Sequence, residues 1–70
     1  MTFVDKQHIN DNYYIVLERD KRYNSHFCYV VQVCPIIGGL VGYPEREMIY
    51  SINERQKALA TFNRYKKKYI

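Results

Sequence analysis

The sequence contains no tryptophan, only two cysteines, two prolines and three glycines. Each scarcity excludes something. Two cysteines cannot build the dense disulfide framework of a small secreted domain. Cys28 and Cys34 both fall near one predicted strand. Six residues of extended chain separate them by about 20 Å, against about 7 Å for bridged Cα atoms. They read as small core residues in a reducing compartment. The close cysteine pair of a zinc module is missing, so His8, His26, Cys28 and Cys34 are a weak ligand set. No metal or cofactor is expected.

Long apolar runs are also missing. The longest, Val33 to Tyr43, is interrupted by Pro35 and three glycines and is too short to span a bilayer. The first twelve residues are polar and carry both signs of charge, unlike a secretory leader. These features predict a soluble, cytoplasmic protein without membrane contact. Seventy residues predict a single domain, 1–70. A core of that size supplies about 3–5 kcal/mol, which favours an added staple such as a homo-oligomer.

What is present is aromatic and basic. Eight tyrosines and three phenylalanines argue against disorder, and tyrosine suits interfaces and base stacking. Eleven basic against seven acidic side chains give a net charge of +4, a modest bias toward anionic partners.

The stretch Cys34 to Pro44, CPIIGGLVGYP, holds every glycine and proline and divides the chain. Before it, residues 1–12 read as a loose lead-in, or one with a few extended residues paired on a sheet edge, that ends at the turn signal Asn10-Asp11-Asn12. Residues 13–19 and 26–34 are rich in β-branched and aromatic side chains and predict two strands. The polar segment 20–25, with Asp20 and Asn24 as turn formers, makes them an antiparallel hairpin. Pro35 is expected to end the second strand or confine it to an edge. Residues 35–44 form a glycine loop, and 46–51 a third short strand. Ala58, Phe62, Tyr65 and Tyr69 recur at helical spacing, so 52–69 is a helix, with Ser51–Glu54 or Asn53–Gln56 at capping-box spacing. The fold class is α+β: a three-stranded antiparallel β-meander with one C-terminal helix on one face, β-β-β-α.

One helix covers one face of such a sheet. Tyr13, Ile15, Leu17, Phe27, Tyr29 and Val31 are the natural helix side. The opposite side carries Glu18, His26 and Gln32, but it also exposes Tyr14, Val16, Cys28 and Val30. That surplus predicts a partner surface.

Catalysis is poorly supported. His26 and Cys28 share a strand face, but a chain this small has little room to exclude water, and the carboxylates are scattered among bases. The protein is expected not to be an enzyme. Gly38-Gly39-x-x-Gly42 resembles neither a P-loop nor a dinucleotide fingerprint. Its glycines serve a wide turn, or else a nest of backbone N–H donors. The basic and aromatic side chains are the best binding signal, although positive charge at a helix C-terminus is also favoured without any ligand.

Two functions follow. The first is a non-enzymatic binding module for a phosphate-bearing ligand, either a nucleotide-type molecule or nucleic acid. Its candidate residues are Gly38, Gly39, Gly42, Tyr43, Arg46, Arg64, Tyr65 and Lys67. The second is a protein-binding inhibitor or adaptor, of the kind phages and mobile elements use against host defence, acting through the apolar sheet face.

Overall fold

The computed structural model of the chain describes residues 2–22 and 26–69. Alternating β-branched and aromatic side chains make β2 (Tyr13–Arg22) and β3 (His26–Ile37) the two longest strands. They pair antiparallel from Tyr13↔Pro35 to Arg22↔His26. The turn former Asn24, and Tyr23 beside it, lie outside the described residues. Asp20 belongs to β2 and not to the turn.

The strand count departs from three. The lead-in is largely an edge strand, β1 (Thr2–Ile9), paired antiparallel with β2. A bulge between Val4 and Lys6 breaks its alternation at Asp5, so no single period of two runs through the segment. The turn after it was legible. Asn10 Oδ1 accepts the Asn12 and Tyr13 amides at 2.9 and 2.8 Å, and its Nδ2 donates to the Tyr69 carbonyl at the helix end.

The glycine loop also contains a strand. Gly38 (φ 60°) and Gly39 (φ 81°) make a two-residue turn between β3 and β4 (Leu40–Val41), closed by the pair Ile37↔Leu40. Both positions are left-handed, which glycine tolerates best. A tight hairpin therefore replaces the expected wide loop. β3 runs through Pro35 without a break, because the backbone on that side of Pro35 faces no strand. β4 ends at Val41 and β5 (Arg46–Ser51) begins at Arg46. Gly42 in the gap donates to the Pro35 carbonyl at 2.8 Å, so the missing proline donor is not needed there.

The result is a small α+β domain. Its curled antiparallel sheet runs β1-β2-β3, with β4 and β5 both against the far side of β3. Helix α1 (Arg55–Lys68) follows. It starts later than predicted, because residues 51–54 close a turn in which the Glu54 amide donates to the Ser51 carbonyl at 2.9 Å. The Glu54 carboxylate reaches back to accept the Ser51 amide at 3.1 Å, the carboxylate half of the Ser51–Glu54 capping box. The bond from Lys57 holds the Glu54 carboxyl below its ordinary value.

Ala58, Phe62 and Tyr65 pack on Ile15, Leu17, Tyr29, Val31 and Val33. Thr61, the buried polar residue of the helix, shares a hydrogen bond with the Tyr50 hydroxyl of β5. Among the described residues no helix is long and apolar enough to cross a membrane.

Two outcomes are expected. Phe62→Ala removes about 3–5 kcal/mol of packing, as much as a core of this size supplies, and should abolish a cooperative urea transition followed by circular dichroism. Retention of the wild-type midpoint would contradict this core. Gly39→Ala forces a left-handed alanine at about 1–2 kcal/mol. It should speed hydrogen exchange of the Gly42 amide about tenfold while leaving β2–β3 amides protected.

Candidate functional site

Directly paired residues on neighbouring strands point to the same side of a sheet. That rule sorts the charges. Lys6 pairs with Leu17, Arg19 with Tyr29, Lys21 with Phe27 and Arg46 with Val33, all on the helix side. Arg55, Lys57, Arg64, Lys66, Lys67 and Lys68 lie on the helix itself. These lysines and arginines are therefore on the helix or on the helix side of the sheet, whereas Arg22 pairs with His26 at a register position of the opposite side. Glu18 pairs with Val30, Asp20 with Cys28 and Glu47 with Gln32, all on the opposite side. The helix side is predominantly basic, and Glu18, Asp20 and Glu47 fall on the other.

The basic side has two centres. One is the helix end, with Arg64 and Lys66–Lys68. Arg64 stands 5.7 Å from the Tyr65 ring centre and Lys66 5.9 Å from that of Phe62. Tyr65 and Tyr69 meet edge to face at 6.2 Å, and Tyr13 meets Tyr69 at 4.8 Å. The second centre lies at the far end of the same strands. Phe3 and Phe27 contact each other at 6.2 Å, with Arg19 5.4 Å above Phe3 and Lys21 5.2 Å above Phe27. Bringing Phe3 there requires β1, which is why the sequence did not reveal it. The alternation of Arg19 and Lys21 opposite Tyr29 and Phe27 was readable once the hairpin register was known.

The opposite side holds a groove of about 590 Å³, lined by Tyr14, Val16, Glu18, Gln32, Cys34 and the segment from Val41 to Pro44. Val16, Cys28 and Val30, expected on the exposed face, are buried, and so is Cys34, which reads as a small core residue. Longer neighbours in register surround them. Val16 sits between Gln7 and Gln32, and Val30 between Glu18 and Ile49. Hydrogen bonds from Tyr14 Oη to Gln7 (2.9 Å) and from Gln32 to Glu47 (2.5 Å) tie those neighbours together. Burial, then the Glu18 and Glu47 charges, pushes the Cys34 thiol up from its ordinary 9.0. Burial, then Glu18 and Cys34, raises the Tyr14 hydroxyl likewise.

The predicted site residues do not converge. Gly38 and Gly39 form the hairpin tip, with nothing near a built Cβ. Gly42 and Tyr43 line the groove, and the Gly42 amide is taken by Pro35. Arg46, Arg64 and Lys67 are exposed on the other side of the sheet, and Tyr65 is a core residue, 7% exposed. His8 is on the helix side, whereas His26, Cys28 and Cys34 are on the groove side. Among the described residues no cluster of histidine, cysteine and carboxylate side chains is arranged to hold a metal ion.

Compared with known proteins, the chain matches no family model, no curated protein and no solved structure.

The raised thiol and phenol give a pH prediction. The unfolded chain ionises first, so their contribution is intact below about pH 8 and is lost as pH rises through the folded values. The urea midpoint should fall between about pH 8 and about pH 10.5, and less steeply in Cys34→Ala. Identical slopes for the variant and the wild type would show that Cys34 does not titrate in this environment.

Proposed function

We propose that the protein is a small non-enzymatic binding module for a phosphate-bearing polyanion, with single-stranded nucleic acid as the ligand class. The observation that carries this reading is the collection of Lys6, Arg19, Lys21, Arg46 and the lysines and arginines of the helix on one side of the molecule. The helix macrodipole accounts for Lys66–Lys68 at the helix end without a ligand. It does not account for Arg19 and Lys21, which sit on a strand beside a pair of phenylalanines.

Size favours a strand over a single nucleotide. Tyr13, against the helix end, and Lys21, in the phenylalanine centre, are about 26 Å apart along β2. That is most of the molecule's longest dimension of 35 Å. A chain of phosphates can bridge such a span, with bases stacking at Phe3, which is 41% exposed. The eight tyrosines do less of this work than their number suggests, since Tyr65 and Tyr29 are buried in the core.

Fluorescence anisotropy with labelled oligonucleotides tests the reading. If Arg19, Lys21, Arg64 and Lys67 each neutralise one phosphate, affinity falls with salt at a log–log slope of about −3. That is about fiftyfold between about 50 and about 200 mM salt. Phe3→Ala should weaken binding about tenfold through lost stacking, with little change in melting temperature. Absence of binding at low salt, or a slope near zero, would remove this reading.

A further inference from the structure

Three parts of the chain meet at one end of the molecule. Tyr13 pairs with Pro35 at the base of the β3–β4 hairpin, and the Ile36 amide donates to the Asn12 carbonyl at 2.8 Å. The Tyr13 ring also meets that of Tyr69 at 4.8 Å, and Asn10 holds the Tyr69 carbonyl. The hairpin, the β1–β2 turn and the helix C-terminus are therefore neighbours, although Tyr43 and the helix stand on opposite sides of the sheet. Across its long axis the molecule measures 22 by 17 Å. One flat surface set against this end can touch both.

This end is apolar at its tip and basic beside it. Ile37 is 70% exposed, Leu40 75%, Val41 52% and Tyr43 94%, and Ile9 before the turn is 64% exposed. Nothing lies within 4 Å of a Cβ built at Gly38 or Gly39, so the hairpin tip stands clear. The turn itself needs only its two glycines. Nothing in the backbone geometry asks for large apolar groups around them. Lys66, Lys67 and Lys68 close the helix. Arg55 and Lys57, at its other end, are paired with Asp5 and Glu54, whereas Lys66 and Lys68 stand over the rings of Phe62 and Tyr69. Asp11 and Glu45 share the end but are outnumbered by Arg64 and the lysines.

Shape and charge select the occupant. Two copies meeting symmetrically through this end would bring their lysines together, and like charges juxtaposed in an interface are unfavourable. A small ligand takes a concave site, and a free-standing hairpin tip is convex. A bilayer with anionic headgroups accepts a convex apolar tip and attracts the lysines around it. We propose that this end of the molecule docks on the surface of an anionic lipid bilayer. Ile37 and Leu40 enter the acyl boundary, Tyr43 sits at headgroup level, and Lys66, Lys67 and Lys68 meet the lipid phosphates and carboxylates. Surface docking needs no spanning segment, so the lack of a long apolar run counts against a span and not against this contact. The hairpin is no part of the polyanion reading, so the proposal does not rest on it, although Lys67 serves both.

The test is co-sedimentation of the full chain with vesicles of equal parts phosphatidylserine and phosphatidylcholine. Vesicles of phosphatidylcholine alone are the control. Each lysine near an anionic surface strengthens binding about fivefold, so the control should bind about a hundredfold more weakly. Lys66→Gln with Lys67→Gln and Lys68→Gln should lose about as much on the mixed vesicles. Leu40→Ser with Tyr43→Ser should weaken binding at least about tenfold through lost apolar burial. Its melting temperature should not change, because both side chains are exposed. Leu40→Trp introduces the chain's sole tryptophan. Its emission should shift to the blue on mixed vesicles and be quenched by brominated acyl chains. Gln56→Trp, at the far end of the helix, should report water throughout.

Absence of binding to mixed vesicles at low salt, equal binding to both kinds of vesicle, or wild-type binding by the hairpin variant would overturn the proposal. So would unshifted emission from Leu40→Trp on sedimented protein. So would sedimentation of the wild type as a dimer that Leu40→Ser with Tyr43→Ser dissociates, which would assign the hairpin to a second copy. Oligonucleotide binding is expected to survive the hairpin substitutions, and vesicle binding to survive Phe3→Ala, so failure of one reading is visible separately from failure of the other.

Discussion

The packing of Ala58, Phe62 and Tyr65 onto Ile15, Leu17, Tyr29, Val31 and Val33 is the contact on which the rest of the molecule depends. The helix has one apolar stripe and the sheet has two sides. Choosing the side with Ile15 and Leu17 fixes where every alternate residue goes. Lys6, Arg19, Lys21 and Arg46 fall with the helix, while Glu18, Asp20 and Glu47 fall away from it. The electrostatic polarity of the protein is thus a consequence of strand alternation and a single packing choice.

Among the described residues no second helix covers the sheet's other side, and the sheet meets that constraint locally. Val16 and Val30 are shielded by longer neighbours in register, and hydrogen bonds from Tyr14 to Gln7 and from Gln32 to Glu47 hold those neighbours in place. Deep burial of small apolar groups beneath a polar layer leaves a groove and not a flat apolar face. The surplus apolar surface is displaced to the hairpin of Ile37, Leu40, Val41 and Tyr43. The apolar character of the glycine loop was legible in the sequence. What it stands beside was not, because the groove is built from β2, β3 and the 41–44 segment together.

Two ends of the molecule show how far local signals carry. At Asn10 the side-chain amide and carbonyl organise a turn whose signature is local, and the sequence announces it. The same side chain bonds the Tyr69 carbonyl, fifty-nine positions along the chain, and no local signal announces that. β1 is the harder case. Its bulge at Asp5 breaks the alternation that identifies strands, and its partner supplies the order that its own pattern lacks. Phe3 joins Phe27, Arg19 and Lys21 only because of that pairing.

The sequence by itself determined the α+β class, the central hairpin, the third predicted strand, now β5, and the amphipathic helix. Each rests on a period or a turn signal confined to a few neighbouring residues. A positive-φ turn was one of its two readings of the glycines, and Gly38 and Gly39 adopt it whereas Gly42 does not. Tertiary structure alone decided that Pro35 lies inside a strand, because only the gap between β4 and β5 removes the need for its donor. It alone decided that Gly42 and Tyr43 stand on the opposite side of the sheet from Arg64 and Lys67. Which residues share a surface depends on pairing register and on which side the helix takes, and both are fixed by contacts between distant parts of the chain.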